Sequence, residues 1–323
     1  MRVRQTPVLL LLMTCLLPAR AEWHHREAAI MGTRIAVELW ADDPATGERA
    51  VEAVLAEMRR MDALMSHYKS ESQLSQINLR AAEEPVKVDA ELAQLIVRAG
   101  RLSEMTGGAF DITYASVGHL YDYRAHTRPT DEQVAAGLGA IDWRHVVVDP
   151  EASTVRFSRQ GVRIDLGGIA KGYAVDRAIA LVGEMGIRHA SVTAGGDSRI
   201  VGDRFGRPWI VGIRHPDDPG RVIARIPMVD ASISTSGDYE RYFDEGGERY
   251  HHIIDPKTGK SAGELRSVTI IGPDATTTDG LSTSVFVMGP ERGLELVERL
   301  GNVDAVIVRR DGKVLYSSGL EAP

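Results

Sequence analysis

Val162-Arg163-Ile164-Asp165-Leu166-Gly167-Gly168-Ile169-Ala170-Lys171-Gly172-Tyr173-Ala174 carries the switch of secondary structure around which the chain is organised. It reads as a strand end from Val162 to Leu166, a double-glycine turn, and a helix running on through Asp176 and Ala180. Adjacent glycines at such a turn let backbone approach a ligand closely, because no Cβ intervenes. The helix start offers N–H groups and a positive dipole end, which suits phosphate. Asp165 and Lys171 flank the turn with one negative and one positive charge. Taken alone, the spacing fits a tight turn with a solvated lysine equally well.

Outward from this turn, Thr33 to Trp40 alternates as a strand, and Pro44 to Tyr68 is helical. Val51, Val54, Leu55, Met58, Met61 and Met65 recur at helical spacing, the pattern of a core face. Asp89 to Met105 forms a second amphipathic helix, stopped by Gly107-Gly108. Short strands dominate from Val146 to Ile233. Thr276 to Met288 and Glu291 to Leu300 are helices split by Gly289-Pro290, and Ala305 to Arg309 and Val314 to Ser317 are the last strands. Strands come in runs rather than alternating with helices, so the expected class is α+β and not a doubly wound sheet.

The 323 residues are 43% apolar and 26% charged, with a net charge of −7. That balance is globular and leaves no basic footprint for nucleic acid. An acidic chain that binds a phosphorylated ligand needs a cation to help hold it. The N-terminus reads as a signal peptide over residues 1–21. Arg2 and Arg4 precede an apolar run from Val8 to Leu17, which is too short to span a bilayer, and Ala19-Arg20-Ala21 is a small-x-small cleavage site. Cleavage after Ala21 is favoured over lipidation at Cys15, because Thr14 is a poor neighbour for a lipidated cysteine and the apolar run continues past it. The expected product is one domain over residues 22–323, periplasmic and without a transmembrane segment. Cys15 is the only cysteine; its removal excludes disulfides and thiolate chemistry from the mature chain.

Two further stretches carry chemistry. In Thr276-Thr277-Thr278-Asp279-Gly280-Leu281-Ser282-Thr283 a threonine is expected to cap the helix, with Asp279 in its first turn. Asp279 and Thr283 share a helix face with Ser282 beside them, a set of hard oxygens of the kind Mg²⁺ takes; a well-capped helix with a polar stripe reads the same way. Ser234 to Phe243 looks like a capped short helix, and Tyr250 to Gly259 like a strand closed by an Asp-Pro-x-x-Gly turn. His251 and His252 would point to opposite faces, one into a site and the other to solvent. A histidine near a phosphate suits general-base work at neutral pH.

Together these motifs resemble the FAD:protein FMN transferases, the ApbE flavin transferases, from about Ala29 to Ser317. The resemblance is carried in order by Met31-Gly32-Thr33, Met65-Ser66-His67-Tyr68 with Ser72 to Asn78, Gly108-Ala109-Phe110-Asp111, and Asp165 to Gly172. Ala194-Gly195-Gly196-Asp197, Thr235 to Phe243, His252 to Gly259 and Thr278 to Thr283 complete it. It implies a single domain with a tunnelling-fold-like core of mainly antiparallel sheet and packed helices. It also implies FAD as substrate, Mg²⁺ as cofactor, and transfer of FMN through its phosphate to a Thr or Ser of an exported or periplasm-facing flavoprotein, with release of AMP. By position, Met31, Tyr68, Ala109, Phe110, Asp111, Asp165, Lys171 and Ile253 would line the FAD site. The Gly168 carbonyl, Asp279, Ser282 and Thr283 would hold the metal, and His252 would assist deprotonation of the acceptor. Tyr114 to Tyr123 departs from the family's usual sequence after Asp111, and Ser282 stands where some members carry a carboxylate. The alternatives are an Mg²⁺-dependent FAD pyrophosphatase and a non-catalytic flavin-binding protein; the carboxylates Asp165 and Asp279 argue against pure binding.

Overall fold

The computed structural model describes residues 21–218 and 220–320. Eight strands form one sheet: β1 (Glu22–Ile30), β2 (Thr33–Ala41), β3 (Ala190–Ala194), β4 (Asp197–Val201), β5 (Ser232–Gly237), β6 (Leu265–Gly272), β7 (Asp304–Arg309) and β8 (Val314–Tyr316). Each strand lies antiparallel beside the next one in sequence. The helices α1 (Pro44–Met65), α2 (Gln73–Arg80), α3 (Ala90–Met105), α4 (Ala115–Gly118), α5 (Asp131–Leu138) and α6 (Ala170–Glu184) all lie in the long connection between β2 and β3. α7 (Ala275–Met288) and α8 (Pro290–Leu300) join β6 to β7. The expected α+β class, mainly antiparallel sheet with packed helices, is what the chain adopts.

Period-two alternation sets the two faces of the sheet. Ile35, Val37 and Leu39 of β2 and Ala190, Val192 and Ala194 of β3 turn toward the helices, in one buried cluster with Val54 of α1, Val175 of α6 and Val285 of α7. Ile200, Ile233 and Val306 point the other way, under a hairpin of Trp209–Arg214 and Val222–Met228. Helices and hairpin thus cover opposite faces, and turns at one sheet end remain for a site.

Several sequence expectations change in the fold. Val162 to Leu166 joins no ladder. The Ile164 backbone is satisfied instead by the Asn78 side chain, which accepts from the Ile164 N–H at 2.7 Å and donates to the Ile164 carbonyl at 2.9 Å, and the Arg163 and Asp165 N–H groups donate to Ser116 Oγ and the Ile112 carbonyl. An amide side chain can replace a neighbouring strand because it carries both a donor and an acceptor. Ser234 to Phe243 is not a helix: its first residues are β5, where Ser232, Ser234 and Gly237 are buried and Ser236 is partly so, and Tyr242–Glu245 pairs with Glu248–His251 in a hairpin. α1 stops at Met65, short of Tyr68, because Ser66 turns extended. The cap of α7 is Asp274, whose side chain accepts from the Thr277 N–H at 2.9 Å, so Asp279 falls in the second turn. Of the signal-peptide assignment over residues 1–21, all but Ala21 lies outside the described residues, and among the described residues no helix is long and apolar enough to cross a membrane.

Candidate functional site

α7 is buried on almost every side, and beside the apolar packing of Leu281 and Val285 its contact with the sheet includes a set of hydroxyls. Ser234 Oγ lies 2.8 Å from Thr278 Oγ1, and Ser236 Oγ lies 2.8 Å from Ser282 Oγ and 3.2 Å from Thr283 Oγ1. Ser282 also donates to the Asp279 carbonyl at 2.9 Å. These bonds fix α7 rotationally more sharply than apolar packing would, because hydrogen bonds are directional. Asp176 of α6 fastens the start of α7, accepting from the N–H groups of Ala275 at 2.9 Å and Thr276 at 2.8 Å.

The helices α6 and α7 cross at Gly172. A Cβ there would stand 2.1 Å from the Ala275 carbonyl oxygen, so only glycine permits the approach. The crossing carries a charge cluster. Asp279 Oδ2 accepts from the Gly172 N–H at 2.9 Å, and Asp279 Oδ1 lies 3.5 Å from Lys171 Nζ. Lys171 Nζ in turn donates to Asp197 Oδ2 at 2.6 Å. Both carboxylates are buried, at 1% exposure for Asp197 and 2% for Asp279. Burial, then the neighbouring Asp197, pushes the Asp279 carboxyl up to about 7, against the opposing pull of Lys171. Burial works against the charge on Lys171, but its two carboxylate neighbours outweigh it and hold its pKa above the ordinary lysine value. Two acids share one ammonium, so the cluster is fully ionised only at a cost, which a proton or a second cation relieves.

Gly168 faces the same crossing: a Cβ on it would be 3.2 Å from the Phe110 ring and 3.3 Å from Thr283 Oγ1. Gly168, Phe110, Lys171, Asp279, Ser282 and Thr283 are thereby brought together. Ala109 and Ile253 are buried, and Met31 sits at φ 56° in the β1–β2 turn. That turn meets the β3–β4 turn closely, since a Cβ on Gly195 would be 2.5 Å from Thr33 Oγ1. Tyr68 is the exception to burial, with 72% of its surface exposed.

Asp111 and Asp165 spend their oxygens on the chain. Asp111 accepts from the N–H and hydroxyl of Thr113 at 2.8 and 2.6 Å and from the Trp143 N–H at 2.9 Å. Burial pushes its carboxyl up against those bonds. Asp165 is held below the ordinary carboxylate value: burial opposes this, but His67 at 2.5 Å, the Gly167 N–H at 2.6 Å and the Tyr114 hydroxyl at 3.0 Å outweigh it. The amides of Gly167, Ala170 and Gly172 are already bonded to Asp165, Leu166 and Asp279, so the start of α6 offers fewer free N–H groups than the sequence suggested.

Neither adjacent histidine faces solvent in the expected way. His251 is 3% exposed, its Nε2 is 2.7 Å from the Ala262 carbonyl, and its ring meets Phe286 edge-on. The strand ends at His251, so the alternation that would have turned it outward does not continue into His252. Burial lowers the His251 pKa to about 4. His252 donates its N–H to the Arg241 carbonyl at 3.1 Å, while its Nδ1 is buried without a partner. Burial and then Arg241 lower its pKa to about 3, with Lys171 contributing in the same direction.

Motif reading did not single out Asp197, His67, Tyr114, Ser236 or Arg241. Asp197 belongs to the Gly195-Gly196-Asp197 turn, yet nothing in the sequence ties it to Lys171. Ser236 was hidden by the helix expected there.

Comparison with known proteins places the site in a family. The profile described as the ApbE family matches residues 31–307, and the chain belongs to that family. It is 34% identical over 301 residues to the FAD:protein FMN transferase of Haemophilus influenzae, covering 89% of this chain and 87% of that protein. The crystal structure of the ApbE protein of Thermotoga maritima superposes with a TM-score of 0.86 at 36% identity, covering 92% of this chain and 98% of that one. The flavin transferase ApbE of Vibrio cholerae gives a TM-score of 0.82 at 31% identity, over 92% and 98% of the two chains.

Proposed function

We propose that this chain is an Mg²⁺-dependent FAD:protein FMN transferase, exported to the periplasm, that attaches FMN to a Thr or Ser of an exported flavoprotein. The observation that carries the reading is the buried cluster in which Asp197 and Asp279 share Lys171 beside the Gly168 turn. A surplus carboxylate in a buried place is a demand for a second cation. Among the described residues no group of three or more His, Cys, Asp or Glu side chains could hold a metal. The donors present are one carboxylate, hydroxyls and a backbone carbonyl, which fit Mg²⁺, an ion that keeps waters and substrate phosphates in its other positions. Asp279, Thr283 and the Gly168 carbonyl would hold it; Ser282 is already bonded to Ser236 and to the Asp279 carbonyl. When bound, the ion would neutralise the pyrophosphate of FAD.

In the transfer, the acceptor hydroxyl oxygen forms a bond to the FMN phosphorus as the bond from that phosphorus to the AMP oxygen breaks. The hydroxyl proton passes to His252 Nδ1, and AMP leaves. Lys171 holds the anionic pyrophosphate, and alignment with charge neutralisation does most of the catalytic work in such a step. The unpartnered Nδ1 suits a base, because a buried acceptor without a donor gains by receiving one. A ring whose pKa is about 3 is neutral at pH 7 and weakly basic. Bound phosphates would oppose the charges of Arg241 and Lys171 and raise that basicity. The exposed Tyr68 ring offers a face for a flat ligand ring.

The reading is tested by co-expression with a periplasmic flavoprotein domain, followed by flavin fluorescence in a denaturing gel. A fluorescent acceptor band that His252→Asn weakens roughly 10²–10⁴-fold, the range for a positioned base, supports it. AMP release with an acceptor that stays dark would assign hydrolysis instead, and FAD binding without AMP release would assign storage.

A further inference from the structure

His67 joins an exposed ring to a buried carboxylate. Its Nδ1 lies 2.5 Å from Asp165 Oδ2, and its ring centroid lies 3.8 Å from that of Tyr68 with the planes at 43°. An ionised carboxylate only accepts, so His67 Nδ1 carries the proton and donates it. The other oxygen of Asp165 takes the Gly167 N–H and the Tyr114 hydroxyl. A carboxylate has about four acceptor positions; three are occupied, and the remaining one is on Oδ2, the oxygen His67 holds. Asp165 is 8% exposed while Tyr68 is 72% exposed, so His67, with a side chain 41% exposed, is the link between them.

α1 ends at Met65, and the segment after it is held by the Ser66 N–H to the Asp62 carbonyl and by the Ser72 hydroxyl to the Ser66 carbonyl. Neither bond fixes the Tyr68 ring. A ring that exposed loses rotamer freedom when it stacks on a ligand, and a neighbour that restricts it beforehand reduces this loss.

We propose that His67 is a positioning residue for FAD recognition, which orients the Tyr68 ring from behind while fixing Asp165 Oδ2, the oxygen that keeps one open acceptor position. The proposal rests on the flavin-transferase reading and adds to it a residue that touches neither the phosphates nor the acceptor. Its role is in ground-state binding, so it acts on KM and leaves kcat alone.

The test measures FAD affinity by quenching of flavin fluorescence, and KM and kcat of FMN transfer, for the parent, His67→Ala, His67→Asn, Tyr68→Ala and the His67→Ala/Tyr68→Ala double variant. His67→Ala should weaken FAD binding and raise KM by about tenfold, the scale of a hydrogen bond to a charged group, with kcat within about twofold. His67→Asn, which keeps an N–H donor for Asp165, should recover part of the loss. The losses in the double variant should be less than multiplicative, because the part of His67 that orients the Tyr68 ring has nothing to act on once that ring is gone. Parental affinity in His67→Ala, or multiplicative losses in the double variant, overturns the proposal. A fall in kcat that His67→Asn does not rescue would also overturn it. A parent that binds FAD but transfers nothing refutes the transferase reading while the binding comparison still decides the role of His67; a parent that does not bind FAD refutes both.

Discussion

Replacing Gly172 by alanine tests whether the α6–α7 crossing holds the site together. The new Cβ would meet the Ala275 oxygen at 2.1 Å, its carbonyl carbon at 2.6 Å and Asp279 Cβ at 2.8 Å. Two of these atoms are backbone, so no side chain can swing aside. Ordinary contact begins near 3.4 Å, so the helices must separate locally by about 1.3 Å. The Gly172 N–H to Asp279 bond, now 2.9 Å, would then lie beyond hydrogen-bond range. Overpacking of this kind costs about 1–3 kcal/mol, and loss of a hydrogen bond to a charged group about 1.5–3 kcal/mol. The better helix propensity of alanine returns about 1 kcal/mol. The balance is a destabilisation of about 1.5–5 kcal/mol, or a fall in Tm of roughly 2–8 °C for a chain of this size. Displacing Asp279 should reduce FMN transfer by about 10²-fold, since small misplacements of a catalytic group cost that much. Calorimetric unfolding and the gel assay measure the two effects separately. A Gly172→Ala protein with the parental Tm and parental transfer would show that the contact is not what sets the position of Asp279.

Asp279→Ala should abolish transfer while leaving a folded protein, because it relieves the repulsion with Asp197 as it removes the bond to Gly172; normal turnover in Mg²⁺ would refute the metal assignment. His251→Asn should lower stability by about 1–3 kcal/mol, the cost of leaving a buried polar group unpaired, because His251 is bonded to Ala262 and packed on Phe286; an unchanged denaturation midpoint would contradict this. Stability should also depend on pH through His251 and His252. Their folded pKa values, about 4 and about 3, lie below the ordinary value of 6.5, so the unfolded chain binds protons first as pH falls. Their contribution is fully present above about pH 6.5 and is lost as pH drops toward 3–4. Unfolding midpoints between pH 7 and pH 4.5 measure it, and the slope should shrink in His251→Asn.

Much of the fold could be read from periodicity where periodicity was strong. The α1 and α3 stripes and the alternation of β2 identified their elements within a few residues. β1 escaped because Glu22 to Ile30 is an edge strand with charged residues interspersed, and an edge carries little hydrophobic signal. Ser234 to Phe243 was misread for a related reason. Serines and threonines are cap residues by reputation, and only the three-dimensional structure shows Ser234 and Ser236 turned toward the hydroxyls of α7. The Gly167-Gly168 turn and the Asp279–Thr283 face were visible as motifs, because their spacing is local. Their convergence came from the family resemblance and not from spacing, and the links from Asp197 to Lys171 and from Asn78 to Ile164 are made through tertiary structure alone.

This difference follows from how the site is built. Where α7 meets the sheet through Ser234, Ser236, Thr278, Ser282 and Thr283, it forgoes the apolar burial that Leu281 and Val285 provide beside them. Each buried hydroxyl must find a partner or cost about 1–3 kcal/mol, and these find one another. The hydroxyl layer contributes less to stability than leucine and valine would. It places oxygens at fixed distances from Asp279 at the crossing where Gly172 brings α6 close. The two carboxylates and one lysine repeat the pattern in charge: burial and Asp197 disfavour the ionised form of Asp279 in the isolated protein, and a cation beside it would favour that form. Stability is given up at the places where ligand binding returns it, and those are the places where sequence patterns for folding carry the least information.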